Sequence, residues 1–425
     1  MLYRDCAIRW LLLIILTIIT AASHAEDQIM SATMSKDWHE DIDYLQQQLE
    51  KRHINLYHRV SKEDFTRDLD QLKQQLPELT LSSVPLALMR VVKKIGDGHT
   101  QFAYWGKTHH HFPLKLHVFD ENLYLVAVTP GYEHLLGMRL DSVNQHPVDD
   151  VIHQLKPILQ SVENPYSEMQ RLAETITVAE VLQGLNIIPT YKEAEFGFID
   201  EKGQKYNVRL KSLESDNSLK LTELTANLPS GFVRNKAGIS GVELYLNHAQ
   251  QTAMIRFDNY PHVGMTAFSE KLCAVFSDKD IRNVIIDLRR NGGGDFFVGL
   301  NLAWGLVLCD DLDWNNGMYV LTSRATFSAA MSNAVQYRQI LNATLVGEPT
   351  GANPVGYQDA GTFTLPNSGW VVMYSKRLYR FQETPTEGVQ PDIFIAPDLA
   401  SLKQGRDHQL EWILDDIRKR RLNTQ

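Results

Sequence analysis

NVIIDLRRNGGG, residues 283–294, places three consecutive glycines directly after an uninterrupted apolar run. The apolar run predicts a buried strand. Glycines at its end allow the backbone to approach a neighbouring group closely. The succession of strand, glycine turn, helix and strand continues through Gly347, which is typical of a layered α/β core. We therefore expect an α/β fold, whose last block begins with the strand TAMIRF, residues 252–257.

A glycine turn after a buried strand serves two kinds of chemistry. Phosphates bind at glycine-rich loops before helices, and the oxyanions of acyl transfer bind to pairs of preorganised N–H donors. The spacing Gly-Gly-Gly departs from the GxGxxG fingerprint of dinucleotide-binding proteins, and GxxxxGK[ST] occurs nowhere in the chain. The turn alone does not choose between a phosphate and an oxyanion.

The next strand-to-helix turn carries a candidate nucleophile. In MYVLTSRATFSAAMS, residues 318–332, a strand is followed by Ser328 and by small residues that open a helix. A serine at such a turn exposes its hydroxyl above the helix N-terminus. There the N–H of Ala329 and that of Gly293 or Gly294 form a predicted oxyanion hole. On local grounds alone, a helix N-cap is the more common use of such a serine.

A serine hydroxyl becomes nucleophilic only when a base takes its proton, and His99 is the candidate base. It lies in the turn IGDGHT, residues 95–100, at the end of a predicted helix. The alternative is a turn histidine that is satisfied by the backbone. The adjacent His109, His110 and His111 cannot all face one way, so we expect a solvated turn there and no metal site.

Several motifs occur together in one order along the chain. They are IGDGHT (95–100), IDLRRNGGG (286–294), TFSAA followed by VGEPTG (326–351), LPNSG (365–369) and GVQPDI (388–393). In identity, order and spacing they resemble the tail-specific, C-terminal-processing and tricorn-type serine peptidase family. The resemblance implies an α/β, crotonase-like ββα-spiral peptidase core and hydrolysis of peptide bonds without a metal or an organic cofactor.

The resemblance also bears on the base. Where members of this family use a Ser-Lys dyad, the position of the lysine falls on Asn353, and no lysine occurs between Ser328 and Lys376. The resemblance therefore favours the tricorn-type arrangement, with Ser328 as nucleophile and His99 as base.

The acid partner of the base is left open by the same comparison. The tricorn-type arrangement uses a serine just before the histidine, where this chain has Gly98, and a glutamate just ahead of the Gly-Val-x-Pro-Asp motif. We expect that glutamate to be Glu387 or Glu383. Asp97 is a third candidate, although its use as a turn-forming residue is the stronger interpretation.

The changing periodicity along the chain predicts three structural parts after an N-terminal signal peptide. Helical spacing comes first, period-two alternation follows from Leu114, and the α/β block comes last. The middle part is similar to a PDZ-like module, although the carboxylate-binding loop of such modules is not evident. The predicted parts are a signal peptide (1–25), an N-terminal helical region (26–106), a PDZ-like β-rich segment (107–225) and the serine peptidase core (226–425), with a polar linker at 212–229.

The N-terminus has the pattern of an export signal. Arg4 and Arg9 precede an apolar run too short to span a bilayer, and the small-residue site Ser23-His24-Ala25 follows. Cleavage after Ala25 is predicted, with a retained anchor as the alternative. We therefore expect an exported protein, periplasmic or extracellular, without a membrane span after signal removal.

The charge of the chain argues against two classes of partner. The formal net charge of −9 disfavours affinity for nucleic acid or anionic membranes.

Two cysteines, Cys273 and Cys309, remain beyond the predicted signal. Buried thiols are a slightly better interpretation of them than a disulfide bridge.

The first hypothesis is therefore an exported serine endopeptidase acting on peptides or unfolded proteins. The alternatives are a non-catalytic ligand- or peptide-binding protein on the same scaffold, and an exported chaperone or scaffold.

Overall fold

The computed structural model describes residues 30–214 and 220–424. The predicted signal peptide, with its cleavage site after Ala25, lies outside the described residues. The described chain is a mixed α/β structure.

Helices occur in every part of the described chain. They are α1 Ala32–Arg52, α2 Lys62–Gln75, α3 Ser83–Lys93, α4 Val148–Leu155, α5 Pro165–Thr175, α6 Ala179–Gly184, α7 Met265–Asp278, α8 Phe296–Val307, α9 Ala329–Leu341, α10 Leu399–Lys403 and α11 His408–Thr424. Short 3-10 helices cover Leu76–Glu78, Tyr104–Gly106, Glu133–Leu135 and Lys156–Ile158.

The strands fall into four sheets. They are β1 Gln101–Ala103, β2 His110–His111, β3 Leu114–Phe119, β4 Asn122–Val128, β5 Arg139–Val143, β6 His146–Pro147, β7 Glu193–Ile199, β8 Lys205–Lys211, β9 Leu213–Glu214, β10 Thr222–Glu223, β11 Val233–Ile239, β12 Val242–Asn247, β13 Thr252–Phe257, β14 Asn283–Asp287, β15 Met318–Thr322, β16 Thr344–Gly347, β17 Val355–Thr364, β18 Val371–Arg380 and β19 Ile393–Phe394.

The C-terminal block is built on a seven-stranded sheet of order β11-β12-β13-β14-β15-β16-β19. Its first three strands are antiparallel, and the pairs from β13 to β19 are parallel. Val284 and Ile286 face a core formed with α7, α8 and α9, while Ile285 faces α11. Alternate residues of a strand point to opposite faces of the sheet. Because helices cover both faces, both sets of residues are apolar, and each strand is a continuous apolar run in the sequence.

The preceding parts share one hydrophobic core. The middle segment forms an antiparallel sheet of order β10-β4-β5-β7-β8, with β3 on β4 and β6 on β5. Its buried residues belong to the same cluster as those of α1, α2 and α3. Val372 of β18 also joins this cluster, because the hairpin of β17 and β18 extends from the C-terminal block to pair with β1. The N-terminal helices therefore pack against both the middle sheet and the β17–β18 hairpin of the C-terminal block.

The cysteines are paired, contrary to the expectation of buried thiols. Cys273 of α7 and Cys309, which follows α8, form a disulfide with an S–S distance of 2.07 Å and a Cα–Cα distance of 4.8 Å. The two helices approach closely at Gly305, where a Cβ would lie 2.7 Å from the carbonyl oxygen of Ser269. The missing side chain at Gly305 thus allows the close approach of the two helices that the disulfide joins.

Candidate active site

Ser328 lies at the turn between β15 and α9 and has a strained backbone, with φ 51° and ψ −123°. Positive φ is uncommon for a residue other than glycine and carries an energetic cost. The Ser328 side chain makes no capping hydrogen bond to α9. Its Oγ instead lies 2.9 Å from Nε2 of His99. The N-cap alternative therefore does not describe this hydroxyl.

The His99 imidazole is buried and held on both of its nitrogen atoms. Nδ1 lies 3.2 Å from Oε1 of Glu163, and Nε2 faces Ser328. A carboxylate only accepts, so Nδ1 carries the proton and Nε2 is free to accept the hydroxyl hydrogen. The ring also stacks on Phe327, with centroids 5.4 Å apart and an interplanar angle of 22°.

Glu163 is the carboxylate at this histidine, and the sequence analysis did not predict it. It immediately precedes Asn164, the N-cap of α5, and the Asn164–Ser167 capping box fixes the start of the helix. Oε2 of Glu163 accepts the backbone N–H of Asn353 at 2.7 Å, and the Asn353 side chain donates to the Glu163 carbonyl at 3.1 Å. The residue at the family's lysine position thus holds the carboxylate that faces His99.

Solved structures of known proteins share the fold of this chain. The solved structure of mature CPAF complexed with lactacystin is 13% identical, covers 91% of this chain and 98% of that chain, and has a TM-score of 0.64. Mature CPAF alone is 12% identical, covers 90% and 98%, and has a TM-score of 0.60. At these identities the similarity shows a shared fold. No curated protein sequence matches the chain.

Residues 308–395, which include Ser328 and the Gly-Val-x-Pro-Asp motif, match the model of peptidase family S41. This match and the shared fold together support a serine-type peptidase of the S41 type. The motif-based prediction of the family is confirmed.

Among the described residues, none of the three predicted acids is hydrogen-bonded to the His99 ring. Glu383 and Glu387 are both exposed in the loop after β18. Asp97 accepts the backbone N–H of His99 at 3.1 Å, while its other oxygen faces His53. The loop alignment that favoured Glu383 and Glu387 could not reveal that a segment 64 residues beyond His99 supplies the neighbouring carboxylate.

The glycine turn passes directly beside Ser328. A Cβ on Gly293, whose φ is 114°, would lie 2.6 Å from the Cβ of Ser328. The N–H of Gly293 already donates to Oδ1 of Asn291 at 2.9 Å. Within residues 30–214 and 220–424, the N–H groups of Gly294 and Ala329 have no protein acceptor. Of the predicted oxyanion donors, Gly294 and Ala329 are therefore available, and Gly293 is occupied.

The His109–His111 stretch differs from the predicted solvated turn. Nδ1 of His110 lies 2.5 Å from Oε1 of Glu180, and His110 and His111 form β2. In the described part of the chain, no group of three or more His, Cys, Asp or Glu side chains is placed to hold a metal ion. The helices described there also include none that is long and apolar enough to cross a membrane.

Proposed function

We propose that this S41 peptidase is an exported, tail-specific-protease-like endopeptidase that hydrolyses peptide bonds through an acyl-enzyme on Ser328. The observation that carries the proposal is the continuous hydrogen-bonded path from Ser328 Oγ through the His99 ring to Glu163. Nucleophile, base and an orienting acid in contact are the arrangement that serine acyl transfer requires.

In the acylation step, Nε2 of His99 takes the Ser328 proton while Oγ attacks the carbonyl carbon of the substrate. The N–H groups of Gly294 and Ala329 stabilise the oxyanion, helped by the N-terminal dipole of α9. His99 then gives its proton to the departing amine, and the C–N bond breaks. Glu163 remains ionised throughout and stabilises the imidazolium.

In the deacylation step, His99 takes a proton from water as the water oxygen attacks the acyl carbonyl. Collapse of the second tetrahedral intermediate returns the proton to Ser328 Oγ and releases the carboxylic acid product. The cycle consumes one water and needs no other reactant.

A lysine base is a poorer fit to this site. The first lysine after Ser328 is Lys376, and its Nζ lies 3.2 Å from Oδ1 of Asp359 on the β17–β18 hairpin. Asn353, at the position of the family's lysine, bonds to Glu163. These contacts support histidine-based activation.

Export is supported by two independent features. The signal pattern of residues 1–25 is one, and the Cys273–Cys309 disulfide is the other, because disulfides persist mainly in oxidising compartments. The antiparallel middle sheet supports a PDZ-like module that recruits peptide C-termini by strand addition, with peptides or unfolded proteins as substrates.

The experiment is covalent labelling of the mature protein by a fluorophosphonate probe, with the adduct mapped by peptide mass spectrometry. We expect a single adduct on Ser328 that is lost in Ser328→Ala and in His99→Ala. His109→Ala, which changes a histidine outside the site, serves as the matched control and should label normally. A folded wild-type protein that is not labelled would overturn the peptidase proposal and favour the non-catalytic binding protein.

A further inference from the structure

Asp97 is a buried carboxylate with an unusually full set of hydrogen bonds. Oδ1 accepts the backbone N–H groups of His99 at 3.1 Å and Thr100 at 2.7 Å, and the hydroxyl of Ser375 at 2.6 Å. Oδ2 lies 3.0 Å from Nε2 of His53. The side chain is only 4% exposed. Three separate segments of the chain thus converge on one carboxylate beside the proposed base.

His53 is fixed as a donor in this arrangement. Its side chain is fully buried and follows the last residue of α1. Nδ1 accepts the backbone N–H of Asn55 at 2.9 Å. The ring proton therefore lies on Nε2 and points at Asp97. His53 is held on both nitrogens, as His99 is, although it does not reach Ser328.

We propose that His53, Asp97 and Ser375 form a positioning clamp that aims the His99 ring at Ser328. The inference rests on the proposed function and extends it to residues that touch no reacting atom. The clamp holds the backbone at 97–100, while the ring of His99 extends from that backbone to the Ser328 hydroxyl. A shift of that backbone moves Nε2, and displacement of a catalytic group by about 1 Å costs roughly 10²-fold in rate.

The charge on Asp97 is maintained by its donors. Burial alone would raise the pKa of this carboxyl, but the hydrogen bonds from His53 and Ser375 outweigh burial and hold the pKa below its usual value. Removing one donor leaves a buried oxygen without a partner, which carries a desolvation penalty. The clamp is therefore sensitive to each of its members.

The clamp gives the N-terminal helical region a role in the reaction. His53 comes from the end of α1 and Ser375 from β18, so the 97–100 segment is fastened both to the helical region and to the hairpin of the core. The helical region then contributes to orienting the base.

The test compares two substitutions at one position. His53→Gln keeps an N–H donor near the position of Nε2, whereas His53→Ala removes it. His58→Ala is the matched control, because His58 lies in the same loop but its Nδ1 faces the Asn55 carbonyl. Each variant is measured for fluorophosphonate labelling of Ser328, for kcat and KM with fluorescent casein, and for amide hydrogen exchange at His99 and Thr100.

We expect His53→Ala to lose about 10²-fold in labelling rate and kcat at unchanged KM, with faster exchange at both amides. His53→Gln should recover most of that loss, and His58→Ala should behave as wild type. Unchanged labelling and exchange in His53→Ala, or equal losses in the alanine and glutamine variants, would overturn the clamp. Absence of labelling in wild type would instead overturn the peptidase proposal, and the exchange measurements would still decide whether the clamp holds the 97–100 segment.

Discussion

Gly98 leaves the space that the Glu163 carboxylate occupies. A Cβ at this position would lie 2.5 Å from Cγ of Glu163 and 2.8 Å from Cζ of Phe327. Both distances are shorter than real Cβ contacts, so a side chain here must displace the acid or the ring beneath His99. In the family's tricorn-type arrangement a serine precedes the histidine, and in this chain its space is filled by a carboxylate from another segment.

We therefore expect Gly98→Ser to displace Glu163 and to lower the labelling rate of Ser328 by about 10²-fold or more. The matched control is Gly356→Ser, because a Cβ on Gly356 would meet only Oε2 of Glu163, at an ordinary 3.9 Å. Time courses of fluorophosphonate labelling measure both variants. Wild-type labelling by Gly98→Ser would show that the acid can move without loss of function.

A second residue-level prediction separates Glu163 from the glutamates that motif alignment favoured. Glu163→Gln keeps the shape but loses the charge that stabilises the imidazolium, so kcat should fall by roughly 10²- to 10⁴-fold. Glu387→Gln and Glu383→Gln change exposed side chains and should retain activity. Hydrolysis of fluorescent casein reports all three. A larger loss in Glu387→Gln than in Glu163→Gln would return the role to the motif glutamate.

The sequence allowed Ser328 and His99 to be paired although 229 residues separate them, because each lies in a motif with a recognisable order. Glu163 has no such signal. It is one glutamate before a capped helix, and its relation to His99 is created only when the middle segment packs beside Asn353. The same holds for His53, whose partner Asp97 is 44 positions away. Tertiary contacts of this kind leave no local pattern in a single chain.

At the scale of elements, the disulfide fastens α7 to the end of α8, the helix that begins just after the glycine turn. The bridge closes a loop with a sequence separation of 36. Closing a loop of this length is expected to stabilise the fold by about 2–4 kcal/mol, chiefly by restricting the unfolded chain. The double variant Cys273→Ser/Cys309→Ser should unfold at a correspondingly lower urea concentration.

Reductant provides the control for this prediction. Dithiothreitol should lower the urea midpoint of wild type to that of the double variant and leave the double variant unchanged. If wild type and the double variant have the same urea midpoint without reductant, a disulfide does not stabilise the fold. The two cysteines are then better described as buried thiols, the interpretation that the sequence favoured.

Elements with strong periodicity were predictable, and those stabilised by distant partners were not. The strand at 252–257 and the buried strand after it occur as β13 and β14. By contrast, Thr222–Glu223 falls within the predicted linker but forms β10 on the edge of β4. A two-residue strand has no pattern of its own, because its hydrogen bonds depend on an edge that lies almost a hundred residues earlier.

At the scale of the whole molecule, the site combines residues from three distant segments of the chain. His99 follows α3, Glu163 lies just ahead of α5 and Ser328 directly precedes α9. The middle segment meets the core around Arg324, which bonds to Glu348 and lies 3.7 Å from Glu121 of the β3–β4 turn. A cavity of ≈ 470 Å³ at this interface lies beside the carboxyl ends of the parallel strands.

His117 of β3 lines this cavity and makes the interface sensitive to acid. Burial, together with the positive charge of Arg324, lowers the pKa of His117 from 6.5 to about 4. Because the folded pKa is the lower one, between these two values the unfolded chain binds more protons at this site than the folded chain does. The stability of the folded protein should therefore fall as pH decreases from 6.5 to about 4.

His117→Gln removes the titrating group, so its urea midpoint should fall less steeply than that of wild type over this pH interval. His134→Gln, which changes an exposed histidine of the same segment, should follow the wild-type curve. The difference in urea midpoint between wild type and His117→Gln is then compared at the two ends of the pH interval. Other groups titrate in both proteins, so their contributions cancel in this difference. Parallel curves for wild type and His117→Gln would mean that His117 accepts a proton without loosening the contact between the middle segment and the core.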